Sequence, residues 1–270
     1  MDGYYTPTLI GGIGNRLFQI ASIYGLSKRH NKKFAIHIEN ICGNPHSTTD
    51  YSRFYKDFIS TLPITYFKKY ETNMNFCKYI EYPIYKDNIL FHGYFQTEKY
   101  FKEFREEILR LFSPTEDEIK YINDKFKPHD AAFIHVRLGD YYNNDLFYVN
   151  LKKYYPVAIQ LLRDAGCSRF IVVTQDIDLC KKEYPWMIDD SYEYLRTLDD
   201  IPDSSSEELI SLFLMKMCGM GGICGNSTFS WWGGWLNESP MKVITFPGKW
   251  LNCNWYQKDI YHEDAIVVPL

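Results

Sequence analysis

No stretch of the sequence is both long and apolar enough to span a bilayer. The most apolar run, Leu209 to Cys224, contains Lys216 and three glycines, Gly219, Gly221 and Gly222, and it falls short of the ~20 residues that a membrane helix needs. The apolar start of the chain is broken by Gly11, Gly12 and Gly14, so no signal peptide is expected. The cysteines number seven, and no two stand at zinc-ligand spacing. That pattern fits free, mostly buried thiols in a reducing compartment. Neither sign of charge dominates: 30 basic against 34 acidic residues leave a net charge of −4, which argues against a general nucleic-acid binder. Internal repeats and low-complexity tracts are absent as well. The expectation is a soluble, cytoplasmic globular protein with no nucleic-acid partner and no transmembrane segment.

What the chain does have is aromatic surface. Aromatics make up 17% of it, 23 of them Tyr. Tyr and Trp pair a flat apolar face with a polar edge, which suits sugar rings as well as protein interiors. At 270 residues the chain has room for one large domain or two of ordinary size.

Strand and helix signals alternate, which predicts an α/β fold. Thr8-Leu9-Ile10 reads as a short strand, Gly11 to Gly14 as a turn, and Leu17 to Leu26 as a helix with Lys28-Arg29-His30 near its end. Phe34 to Ile38 reads as the next strand. Residues 41–90 lack a clean period until Ile89-Leu90-Phe91. Lys99 to Phe112 has the spacing of one amphipathic helix, and another starts after Ser113-Pro114. Lys127-Pro128-His129-Asp130 looks like a boundary. A second alternation follows: strand 131–137, helix 151–165, strand 169–174, helix 177–183 and helix 206–219, whose start carries the capping-box pattern Ser205-x-x-Glu208. A short strand at Ile223-Cys224, a helix from 228, a strand at 243–246 and a last short strand near Val267-Val268 complete it. Two such arrays predict two facing Rossmann-like lobes, 1–130 and 131–270, with a cleft between them.

Four segments carry candidate chemistry. In Phe133 to Tyr141, apolar and β-branched residues lead into His135, Arg137 and Asp140. Ligands of open α/β sheets bind at the carboxyl ends of strands, and the guanidinium fork fits two phosphate oxygens. The plainer reading is an Arg137–Asp140 ion pair that ties a turn. Gly11-Gly12-Ile13-Gly14-Asn15 is a glycine-rich turn whose amides suit a phosphate. With Glu39 it approaches a dinucleotide fingerprint, but Leu17 replaces the third glycine. Thr174-Gln175-Asp176 ends a buried strand in polar groups. Asp176 and Asp178 resemble a metal-holding pair, yet a hard cation needs more oxygens than two carboxylates bring, and a helix start, where carboxylates oppose the positive end of the dipole, is the better explanation. No metal site is expected. Asn226-Ser227-Thr228 feeds a helix that Trp231, Trp232 and Trp235 would pack; its hydroxyls and amides either cap that helix or grip an anion.

With those residues laid out, the chain resembles the α-1,2-fucosyltransferase family. That family's His-x-Arg-x-Gly-Asp-Tyr is matched by His135, Arg137, Gly139, Asp140 and Tyr141. Its Gly-Gly-x-Gly-Asn turn is matched by Gly11, Gly12, Gly14 and Asn15. Its Gly-Tyr-x-Gln-x-Glu-Lys-Tyr-Phe stretch is matched by Gly93 through Phe101, and its Asn-Ser-Thr-Phe-Ser-Trp-Trp-Gly stretch by Asn226 through Gly233. The resemblance implies the glycosyltransferase B architecture, with an N-terminal lobe on the acceptor side and a C-terminal lobe that binds the GDP-sugar. It implies GDP-fucose as donor, a glycan acceptor, inversion at the anomeric carbon, and neither cofactor nor metal. Carried over residue by residue, donor binding falls to Gly12, Gly14, Asn15, His135, Arg137, Asp176, Asn226, Ser227 and Thr228. Arg137 would take the diphosphate, and Asp140 and Glu98 are the candidates for the base. The sequence departs from the family at Leu138, where a second arginine is common, at Arg16, where Gln is common, and at Thr174-Gln175, where Ser-Asp or Ser-Asn precedes the acid. These departures bear on acceptor identity and base recognition. The competing readings are a transferase using another nucleotide sugar, a non-catalytic carbohydrate-binding protein on the same fold, and a dehydrogenase.

Overall fold

The computed structural model describes residues 3–41, 49–71, 77–196 and 198–270. The chain divides into two compact α/β units: Met1–Ser113 with Tyr256–His262, and Pro114–Trp255 with Glu263–Leu270.

The first unit is built on a parallel sheet of four strands in the order β2-β1-β4-β3. These are β1 (Tyr4–Pro7), β2 (Lys33–Phe34), β3 (Lys68–Glu71) and β4 (Ile89–His92). Helix α1 (Ile13–Arg29) follows β1 and is buried along most of its length. The first strand lies ahead of the expected 8–10, and Leu9 makes only a single bridge, to Ile41. The expected strand 34–38 is cut to Lys33–Phe34 because the next residues change partner. The Ile36 N–H donates to Phe58 O at 2.8 Å and its carbonyl accepts from Ser60 N–H at 2.8 Å. Gly25 in α1 permits a close crossing: a Cβ there would stand 2.2 Å from the Tyr100 carbonyl oxygen.

The expected helix 99–112 is three pieces. Two 3-10 turns, Glu98–Tyr100 and Lys102–Phe104, precede α2 (Arg105–Leu111). Thr97 Oγ1 accepts from Lys99 N–H, and Phe101 sits at φ −143°, outside helical space. Residues 256–262 rejoin this unit through Asp259. That carboxylate accepts from Lys99 Nζ at 2.7 Å, the Tyr79 N–H at 2.9 Å and the Tyr256 hydroxyl at 2.9 Å.

The second unit holds a six-stranded parallel sheet in the order β10-β9-β8-β5-β6-β7. Its strands are β5 (Ala131–Val136), β6 (Arg169–Thr174), β7 (Tyr192–Tyr194), β8 (Gly221–Ile223), β9 (Val243–Pro247) and β10 (Ile266–Val268). Its helices are α3 (Glu116–Phe126), α4 (Tyr154–Asp164), α5 (Ile177–Glu183), α6 (Glu207–Met217) and α7 (Thr228–Trp235). Every residue of β5 is buried, as a central strand covered on both faces requires.

Helix α3 belongs to this second unit, so the division falls ahead of the boundary expected at 130. Thr115 and Glu118 form a capping box at its start. The other oxygen of the buried Glu118 carboxylate accepts from Ser205 Oγ at 2.5 Å. That bond corrects the pattern expected for α6: Ser206, not Ser205, caps it by accepting from Leu209 N–H at 3.2 Å. Strand β8 is glycine-rich for a packing reason, since a Cβ on Gly222 would lie 2.2 Å from the Phe133 ring. The described cysteines are all free, five of them buried; Cys42 lies outside the described residues. Among the described residues no helix is long and apolar enough to cross a membrane.

Candidate functional site

The chain order sets the address. From β5 the second sheet grows through β6 to β7 on one side; the later strands β8, β9 and β10 fill the other. The direction of winding therefore reverses between β5 and β8, and ligands of open α/β sheets bind at the carboxyl ends flanking such a reversal. Residues 135–141 leave β5 there. Residues 224–228 leave β8, and 174–176 leave the neighbouring β6.

His135 is 3% exposed, and its Nδ1 has no hydrogen-bond partner among the described residues. Burial first, and the charge of Arg137 second, push its pKa down to about 3. The imidazole is held neutral, with a ring nitrogen still open to a partner. Its backbone is pinned by the Tyr155 hydroxyl, which donates to His135 O at 2.9 Å. Gly225 fits closely beside it: a Cβ there would lie 3.1 Å from His135 O.

Arg137 is held on two sides. Its Nη2 stands 2.6 Å from Asp140 Oδ1, and its Cζ lies 5.2 Å above the centre of the Tyr141 ring. The Arg137 Nε is buried and has no partner among the described residues. The ion pair with Asp140 anticipated as the plainer reading is present, then, without using up the guanidinium. Leu138 is buried and packs with Val136 in the core. A second arginine would have to find room in that core. Gly139 takes φ +33°, and a Cβ on it would meet Gln175 Oε1 at 2.8 Å, so the end of β6 lies against the turn that carries Arg137.

Asp176 begins α5. Its Oδ1 accepts from Leu179 N–H at 2.9 Å, and Asp178 lies in the first turn, where a carboxylate opposes the positive end of the helix dipole. Thr174 Oγ1 is a further buried group without a partner among the described residues. Among those residues, no group of three or more His, Cys, Asp and Glu side chains is placed to hold a metal ion.

Ser227 caps α7, its Oγ accepting from Phe229 N–H at 3.3 Å. Behind the cap, Trp231, Trp232 and Trp235 are buried. Gly233 lets α7 meet α6, since a Cβ on it would fall 2.6 Å from Met215 Cβ. Thr228 is half-buried at the first helical position. Asn226 is 4% exposed and turns inward: its Nδ2 donates to Phe147 O at 2.8 Å and to Trp250 O at 2.9 Å.

The remaining predicted residues lie on the first unit, around its own reversal between β1 and β4. Gly11 takes φ +77° and Gly12 caps α1, with open space where its Cβ would be. Gly14 and Asn15 follow in the first turn, and Asn15 Oδ1 accepts from Gln96 Nε2 at 2.9 Å. That bond joins the glycine turn to the segment after β4. Leu17, in the place of a third fingerprint glycine, is buried. Glu98 is 7% exposed in the 3-10 turn after Thr97. The fold thus gathers His135, Arg137, Asp140, Asp176 and 226–228 on one sheet edge, and Gly12, Gly14, Asn15 and Glu98 belong to the other unit. Gln175, in the polar end of β6 that the sequence had marked, lies over Gly139. Phe147, which stacks on Tyr141, had no signal in the sequence, since it stands out in neither composition nor spacing.

A model of the family described as Glycosyl transferase family 11 matches residues 2–267. The chain is 25% identical over 272 residues to an alpha-1,2-colitosyltransferase of Escherichia coli, covering 90% of each chain. It is 29% identical over 180 residues to the O-antigen biosynthesis glycosyltransferase WbnK of Escherichia coli, covering 63% of this chain and 57% of that one. Among solved structures it is similar to the fucosyltransferase NodZ from Bradyrhizobium, with a TM-score of 0.53 at 12% identity over 86% of this chain and 93% of that one. NodZ alpha-1,6-fucosyltransferase co-crystallised with GDP gives a TM-score of 0.51 at 12% identity, covering 86% and 92%. These likenesses show the fold, the glycosyltransferase B architecture with its two parallel sheets.

Proposed function

The chain belongs to glycosyl transferase family 11, and on that premise we propose that it transfers L-fucose from GDP-fucose to a hydroxyl of a galactose-terminated glycan, forming an α-1,2 link with inversion and without a metal. The observation that carries this reading is Arg137. Its guanidinium is oriented by Asp140 and Tyr141, keeps its buried Nε unpartnered among the described residues, and stands at the carboxyl end of β5 where the sheet reverses.

In the proposed step the acceptor oxygen forms a bond to the sugar's anomeric carbon from the face opposite the nucleotide. The bond from that carbon to the phosphate oxygen breaks, and its electron pair leaves with GDP. Arg137 and the amides at the start of α7 take up the charge arriving on the diphosphate; a well-aimed donor of this kind is worth ~3–4 kcal/mol. His135 offers a neutral ring nitrogen to the nucleotide. Gly12, Gly14 and Asn15 would lie along the sugar or phosphates, and Asp176, Ser227 and Thr228 beside the nucleotide. The acceptor proton passes to a carboxylate within hydrogen-bond reach, for which Asp140 and Glu98 remain the candidates. Asp140 also orients Arg137.

A second reading has its own support, because the relative matching 90% of the chain is named a colitosyltransferase. There the fold and linkage stay and the sugar changes to colitose. A panel of nucleotide sugars with a β-galactoside acceptor, run with and without chelator, separates the possibilities. The expected result is consumption of GDP-fucose alone, undiminished by chelator. Turnover of the colitosyl donor would establish the second reading, turnover of neither donor would refute both, and loss of activity with chelator would overturn the metal-free step.

A further inference from the structure

We infer that Tyr141 and Phe147 form a positioning stack that aims the Arg137 guanidinium, and that Asn226 ties this stack to the turn opening α7, so that both halves of the diphosphate site are set by one strut. The inference rests on the proposed function.

Arginine has many rotamers, and a single contact with Asp140, whose side chain is 42% exposed, would confine it poorly. The ring of Tyr141 supplies a second wall, 5.2 Å beneath Cζ, at a distance where a cation is drawn to an aromatic face. Tyr141 is itself braced, because its ring stacks on Phe147 with centroids 5.1 Å apart and planes 22° apart.

Phe147 is fixed by its backbone. Asn144 Oδ1 accepts from the N–H groups of Leu146 and Phe147, at 3.1 and 3.2 Å. The Phe147 carbonyl accepts from Asn226 Nδ2 at 2.8 Å, and the same nitrogen holds Trp250 O at 2.9 Å. Asn226 is followed directly by the cap Ser227. Contact therefore runs from Arg137 through Tyr141, Phe147 and Asn226 to the amides of α7. Asn226 becomes a positioning residue in place of the donor ligand that the sequence suggested, with its two amide protons already engaged within the fold.

Calorimetric titration with GDP tests this on the whole chain, in Tyr141→Phe, Tyr141→Leu, Phe147→Leu, Arg137→Ala and the double variant Arg137→Ala/Tyr141→Leu. Tyr141→Phe keeps the ring and is expected to bind GDP within about twofold of wild type. Tyr141→Leu should weaken binding about fivefold to tenfold. Phe147→Leu, which disturbs the turn least, should weaken it in the same direction by less. In the Arg137→Ala background, Tyr141→Leu should add no more than about twofold, because its effect passes through the guanidinium. Equal losses with and without Arg137 would overturn the stack and leave Tyr141 a structural residue only. If Arg137→Ala weakens GDP and neither Tyr141→Leu nor Phe147→Leu does, the stack fails while the proposed function stands. If wild type does not bind GDP, the proposed function fails and takes the stack with it.

Discussion

At the scale of single residues, His135 shows how a strand end can store a requirement for neutral pH. Burial and the charge of Arg137 lower its pKa to about 3, against ~6.5 in an unfolded chain. Between those values the unfolded state binds the extra proton. Stability due to His135 is therefore complete above pH ~6.5 and drains away as pH falls toward 3. Replacing it with Asn removes that dependence. In urea unfolding, the gap between wild type and His135→Asn should shift against wild type by about 2 kcal/mol from pH 7.5 to pH 5. A constant gap would mean that the imidazole does not stay neutral in the fold. Arg137 and its neighbours were legible in the sequence because a run of apolar residues ended in charge. The inward turn of Asn226 was not, since an Asn before a helix reads equally as a ligand or a strut.

At the scale of elements, caps and turns decide where side chains of the site point. Asp176 is the test case, because it caps α5 and is also proposed to lie beside the nucleotide. Asn caps about as well as Asp, whereas losing the cap costs about 1 kcal/mol. Thermal unfolding should find Asp176→Ala destabilised by about that amount and Asp176→Asn close to wild type. Equal stability of all three would show that the cap contributes nothing. Long buried strands such as β5 and β6 were legible from their β-branched runs. Strand β7 was missed because Tyr192-Glu193-Tyr194 is a three-residue edge strand that is not buried, so it has no apolar signature. The helix expected over 99–112 broke because Phe101 leaves helical space and Thr97 caps a shorter turn, a local competition that apolar spacing does not register.

At the scale of the whole molecule, two parallel sheets each reverse their winding once, and the matched motifs lie at those reversals. Residues 256–262 leave the second unit and rejoin the first, where Asp259 fastens them. Burial alone would raise the Asp259 carboxyl, but Lys99, the Tyr79 N–H and the Tyr256 hydroxyl outweigh it and hold the pKa below the usual carboxylate value. A depressed carboxyl lends stability above its unfolded value of ~3.9 and loses it as pH falls through the folded one. Asp259→Ala should cost about 2–3 kcal/mol near neutral pH, as expected for charge-assisted hydrogen bonds, and progressively less below pH ~4 in chemical unfolding. A penalty that does not change with pH would place the effect in packing and not in charge. The alternation of strands and helices was readable in the sequence; that α3 packs beside α6, within the second unit, was not, because it depends on tertiary contact.

The central claim is that Arg137 holds a diphosphate at the end of β5. Titration of GDP and GMP into wild type and Arg137→Ala addresses it without needing the acceptor. GDP affinity should fall about a hundredfold in the variant, on the order of the ~3 kcal/mol that such a charged contact supplies, and GMP affinity should change far less. GDP affinity unchanged within about threefold, or GDP and GMP weakened alike, would contradict the account.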